Sequence, residues 1–153
     1  MRGLNGLPEL DHKKTQVAMD SVFEQYRLFK STTFQRREVK TTASYSERFH
    51  GPTNVTSDST ADTAIYNVFQ PEYRERFCEA VDAAVGMLAT RHQELIRCRY
   101  LSKDKFTDSE VYNTRLDPPV SRDTYSKLRN EAFQALAYSF DTLELIKIEN
   151  LLK

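Results

Sequence analysis

Asp117-Pro118-Pro119-Val120-Ser121-Arg122-Asp123-Thr124-Tyr125-Ser126-Lys127-Leu128-Arg129-Asn130 is the stretch that decides how this chain is built. Two consecutive prolines remove two backbone donors and bias the residues before them toward extended geometry, so a helix arriving from the N-terminal side must stop and turn. Ser121 then offers a hydroxyl to the free amides of a new first turn. Beyond it Tyr125, Leu128, Ala132, Leu136 and Phe140 recur at steps of three and four, which predicts an amphipathic helix with one buried row. The small Ala132 in that row lets a preceding helix cross closely. Arg122, Asp123, Ser126, Lys127, Arg129 and Asn130 are left to the other faces.

Working outward toward the N-terminus, Thr107 or Asp108 can cap a short helix whose apolar members are Val111, Tyr112 and Leu116. Before it, Leu95, Ile96, Arg99 and Tyr100 give another short helix its buried side. Tyr73, Phe77, Val81, Ala84 and Leu88 form a strong amphipathic stretch within about 60 to 89, with Pro71 either starting that helix or kinking it. Asp11 can cap a first helix at His12, striped by Val22, Phe23, Tyr26 and Phe29 with Val17 and Met19 beside them. The reading is all-α: a helical bundle with a C-terminal helix-turn-helix at about 107 to 140 and an N-terminal helical arm. Its expected parts are an arm over 1–40, a linker or long loop over 41–60, and a helical DNA-binding domain over 61–153. The linker is inferred from the Thr- and Ser-dominated run broken by Gly51 and Pro52, whose composition buries too little to order itself. The apolar end, Leu143 to Leu152, is too apolar for a solvated tail and too short to span a membrane. It is expected to complete a core, either on the second amphipathic helix or across a dimer.

Composition narrows the function. The chain has 153 residues, 39% of them hydrophobic, enough for one modest core. Cys78 and Cys98 stand apart with no CxxC pair, and His12, His50 and His92 are scattered, so neither a disulfide framework nor a metal site is expected. Four glycines at positions 3, 6, 51 and 86 leave no phosphate-binding loop, and no GxSxG or HExxH occurs. The expectation is a protein that is not an enzyme, binds no cofactor, makes no membrane contact and works in a reducing cytoplasm. Its 22 Lys and Arg balance 22 Asp and Glu, which counts against nucleic-acid binding unless the charge is segregated. It is: residues 60–90 carry five acids against two arginines, whereas 91–140 carry nine Lys or Arg against seven acids.

A helix entering the major groove reads base edges with its first two turns. Arg122 and Lys127 suit guanine O6 and N7, Asn130 suits adenine, Ser126 suits base edges or phosphate, and Asp123 can accept from cytosine or hold Arg122. Ser121 begins that surface and Arg129 lies within it. The alternative is an ordinary surface helix whose polar face is merely solvated.

The segments Leu95-Ile96-Arg97-Cys98-Arg99-Tyr100-Leu101, Phe106-Thr107-Asp108-Ser109-Glu110-Val111-Tyr112 and Val120-Ser121-Arg122-Asp123-Thr124-Tyr125, with Ala132 and Leu136-Ala137, resemble the ArpU family of phage-encoded transcriptional regulators. Leu7-Pro8-Glu9-Leu10-Asp11 with Lys13 and Lys14, and Lys40-Thr41-Thr42-Ala43-Ser44-Tyr45-Ser46, are similar to that family's N-terminal part. The resemblance implies a C-terminal half like region four of bacterial sigma factors, with Arg122, Asp123, Thr124, Ser126 and Lys127 at base-facing positions. It further implies a regulator of phage or prophage late genes in the cytoplasm of a bacterial host, read here as an activator though the sequence leaves the sign open, with double-stranded DNA as partner and RNA polymerase as a possible second one. Two rivals remain open: a phage DNA-packaging or recombination accessory protein using the same motif, and a module that binds RNA polymerase without touching bases. A homodimer is also expected, joined through the Val22, Phe23, Tyr26 and Phe29 stripe or through Leu143, Ile146 and Leu152, because two half-sites double the discrimination of one.

Overall fold

The computed structural model describes residues 6–42 and 58–153, with side chains described over 6–32 and 71–153. Among the described residues five helices carry the fold: α1 (His12–Thr42), α2 (Asp58–Gly86), α3 (Thr90–Ile96, continuing as a π-helical turn Arg97–Leu101), α4 (Asp108–Glu110, continuing likewise over Val111–Arg115) and α5 (Arg122–Thr142). A 3-10 turn, Ile148–Leu151, closes the chain. The all-α expectation is met, and an isolated antiparallel bridge joins Leu10 to Leu152. The expected linker over 41–60 lies outside the described residues except at its two ends, where 41–42 finish α1 and 58–60 begin α2.

Local chemistry sets the boundaries. Asp11 caps α1 by accepting from the Lys14 amide at 3.0 Å, while its carbonyl takes the Thr15 hydroxyl at 2.7 Å. Pro71 sits inside α2 rather than at its start. Gly86 and Leu88 at the end of α2 would leave carbonyls unpaired, and the Gln93 amide donates to both, at 2.9 and 2.7 Å. Thr107, not Asp108, is the cap of α4: its hydroxyl accepts from the Glu110 amide while the Glu110 carboxylate accepts from the Thr107 amide, a reciprocal box. The connection from Leu116 to Ser121, which includes a cis Asp117–Pro118 peptide, brings the chain into α5.

One core joins all five helices. Phe23 of α1 stacks on Tyr100 with centroids 4.9 Å apart and meets the rings of Phe133 and Phe140 of α5 at 6.2 and 6.4 Å. Phe29 meets Phe77 of α2 edge-on at 5.2 Å. The stripe of α1 therefore finds its cover within the chain, because Met19, Val22, Phe23, Tyr26 and Phe29 are buried in the same cluster as Val81, Leu95, Val111 and Leu136. A polar lock accompanies it: the Tyr26 hydroxyl donates to Asp82 at 2.8 Å, and burial together with that bond raises the phenol's pKa.

The Ile148–Leu151 turn packs on α1 and on α5, whereas one reading of the sequence expected the second amphipathic helix. Its route is fixed by backbone bonds, Asp11 amide to Leu151 carbonyl at 2.8 Å and Lys153 amide to Glu9 carbonyl at 3.3 Å, with the Lys153 ammonium on the Glu9 carboxylate. Leu151 is buried there. The turn out of α5 places Glu144 at φ 60°, a conformation that costs an L-residue roughly 1–2 kcal/mol. No helix among the described residues is long and apolar enough to cross a membrane.

Candidate nucleic-acid interface

The N-terminal half of α5 carries the polar residues singled out from the sequence. Ser121, at φ −71° and ψ 160°, accepts from the Thr124 amide at 3.2 Å, which settles the start of the helix one residue later. From there Tyr125, Ala132, Phe133, Leu136, Ala137 and Phe140 are buried. Leu128 is half-buried against the same core. Because 100° separates successive residues, Asp123, Lys127, Asn130 and Gln134 fall in a single row, and all four are exposed. Arg122 and Thr124 are exposed on the first turn and Ser126 is half-buried.

The groove beside this surface was not legible in the spacing, whereas Gln134 was. Lys127, Asn130 and Gln134 rim a groove of about 390 Å³ that α5 forms with the start of α1, where Leu10, His12 and Phe133 and the carboxylates of Glu9 and Glu131 are also part of the lining. Gln134 was overlooked, although its position eleven residues after Asp123 puts it on that row, and its amide has the paired donor and acceptor that suit adenine. Glu131, on the neighbouring row, is held by the His92 ring nitrogen at 3.0 Å.

Arg129 is turned inward. Its guanidinium lies 3.6 Å from Asp108 and stacks over the Tyr125 ring at 6.0 Å, with its Nε buried. Asp108 is the junction of three helices: it accepts from Arg99 of α3 at 2.8 Å and from the Tyr125 hydroxyl of α5 at 2.6 Å, while itself opening α4. Partial burial pushes its carboxyl up, but the bonds from Tyr125 and Arg99 and the charges of Arg99 and Arg129 outweigh that and hold it below its ordinary value. The same surroundings push the neighbouring Tyr100 phenol up to about 12, chiefly through burial. Tyr112 and Tyr125 rings meet at 5.5 Å, and the Val120 amide donates to the Tyr112 carbonyl at 3.1 Å, so α4, the connection and α5 are tied at both ends.

Arg122 and Lys127 are exposed cations on the first turns of a capped helix, with the exposed carboxylate of Asp123 between them in sequence, and the helix N-terminus adds its own positive field. Such a surface can hold phosphate and reach base edges at once.

The chain is similar to an uncharacterized phage-related protein of Listeria innocua serovar 6a, 22% identical over 148 residues that span 92% of this chain and 96% of the relative. No family model and no solved structure matches the chain.

Proposed function

We propose that the protein is a sequence-specific DNA-binding regulator, without enzymatic activity, that activates phage or prophage late genes through a helix-turn-helix made of α4, the Leu116–Ser121 connection and α5. The observation that carries this reading is the division of α5: one side seated on the core, and in its N-terminal half an exposed face bearing Arg122, Asp123, Lys127 and Asn130. A helix that enters the major groove needs its base-facing side free, and in a helix-turn-helix the rest of the domain holds it there. The likeness over nearly the whole length to a phage-related protein supports a phage origin, in keeping with the ArpU resemblance and its sigma region four-like half. Arg129 acts here as a brace for α5 through Asp108, and the base-facing set is Arg122, Asp123, Thr124, Ser126 and Lys127, joined by Asn130.

Of the apolar groups considered for a dimer, the α1 stripe is buried in the core, while in the C-terminal group Ile146 and Leu152 are partly buried against it and Leu143 is exposed. That favours a monomer that reads DNA beside RNA polymerase over a dimer on paired half-sites. The test is selection of bound fragments from a phage genome, followed by anisotropy on the selected duplex and a scrambled one. Preference for the selected duplex that weakens with salt is expected. Equal weak binding to both, or capture of RNA polymerase with no DNA preference, rejects base reading, and recruitment of a packaging ATPase without effect on transcription favours the accessory role.

A further inference from the structure

In the Asp117-Pro118-Pro119 connection, the amide that would close a turn on the Asp117 carbonyl is that of Val120, and it donates instead to the Tyr112 carbonyl at 3.1 Å. The carbonyls of Asp117 and Pro118 take their donors from elsewhere in the chain. Both find the same one: Arg91, in the first turn of α3, donates from Nη1 to the Asp117 carbonyl at 3.0 Å and from Nη2 to the Pro118 carbonyl at 2.7 Å. Glu94, one turn on, holds Nη1 at 3.3 Å and aims the fork. The planar guanidinium matches two adjacent acceptors in a way that a single ammonium does not.

We propose that Arg91 is a positioning residue for the DNA-reading helix: it fastens the proline connection to α3 and so sets the direction in which α5 leaves Ser121. The proposal rests on the DNA-binding reading for its functional consequence, but the fastening itself is a property of the free protein. Downstream of the fork, Val120 donates to Tyr112 and Ser121 caps α5, so a shift of the two carbonyls is passed directly to the first turn, where Arg122 and Asp123 stand. Arg91 donates to carbonyls and makes no demand on phosphate. Its loss therefore acts on selectivity, through misplacement of base-facing side chains, and not on the number of phosphate charges neutralised.

The experiment compares the full chain with Arg91→Ala and Arg91→Lys in two measurements. The first is amide hydrogen exchange in the free protein: exchange at Val120 is expected to accelerate at least about tenfold in Arg91→Ala and less in Arg91→Lys, with the amides of Phe23 and Leu136 unchanged. The second is anisotropy on the selected and scrambled duplexes: the affinity ratio is expected to fall about tenfold in Arg91→Ala, with the same slope of affinity against salt as the parent chain. Unchanged exchange at Val120 overturns the fastening, as does acceleration spread over the core in both variants, which makes Arg91 a residue of general stability. A salt slope lowered by about one overturns the positioning role, because Arg91 then touches phosphate itself. If the parent chain shows no preference between duplexes, the DNA-binding reading fails while the exchange result still judges the fastening.

Discussion

The Tyr125 hydroxyl donates a 2.6 Å hydrogen bond to the Asp108 carboxylate across 17 residues of sequence, and through it the first turn of α5 is tied to the first turn of α4. The same carboxylate takes Arg99 and lies near Arg129, so one acid orders two arginines, a tyrosine and three helices. Asp108→Asn keeps the shape and removes the charge. Because the side chain is 42% exposed, solvent screens the pairs, and the expected loss at neutral pH is about 1–2 kcal/mol. The carboxyl is depressed in the folded state, so its stabilisation is full above the ordinary value near 3.8 and disappears as pH falls through the lower folded value. Urea melts of both proteins should therefore differ at pH 7 and converge in acid below about 4. A constant difference across that range contradicts the ionic role.

Arg122→Ala and Lys127→Ala are each expected to weaken binding to the selected duplex by about 1–3 kcal/mol with melting temperature unchanged, since both side chains are exposed. Arg129→Ala should behave oppositely, losing stability first, because its guanidinium lies against Asp108 and Tyr125. Anisotropy paired with thermal melts separates the two classes. Normal affinity in both Arg122→Ala and Lys127→Ala rejects the assignment of α5 as the reading helix.

Leu128 and Phe23 test the packing. Phe23 is 2% exposed at the meeting point of Tyr100, Phe133 and Phe140, and Phe23→Ala should cost about 3–5 kcal/mol. Leu128→Ala removes a half-buried side chain and should cost less, about 1–2 kcal/mol. Denaturant melts that reverse this order would show that α5 is rotated from the position described.

Glu144 at φ 60° invites a stabilising change. Glu144→Gly removes the clash of Cβ with the backbone at the end of α5, and although glycine loses more freedom on folding, a gain of about 0.5–1 kcal/mol is expected. A thermal melt reads it directly. A loss of stability would show that the Glu144 side chain contributes more than its conformation costs.

Much of the fold was decided by the sequence alone. The Asp11 and Ser121 caps, the break at Pro118-Pro119 and the buried row Tyr125, Ala132, Leu136 and Phe140 could be read because they depend on groups within one or two helical turns. Backbone donors, proline geometry and helical periodicity act at that range, whatever the rest of the chain does. The tertiary structure alone decided that Arg129 turns toward Asp108, that Arg91 reaches the carbonyls 26 and 27 residues on, that Gln134 joins the rim of the groove, and that the two ends of the chain meet at Leu10 and Leu152. A guanidinium has the same local spacing whether it faces solvent or a carboxylate. What chooses between them is which distant acceptor the packing of the core brings within about 3 Å.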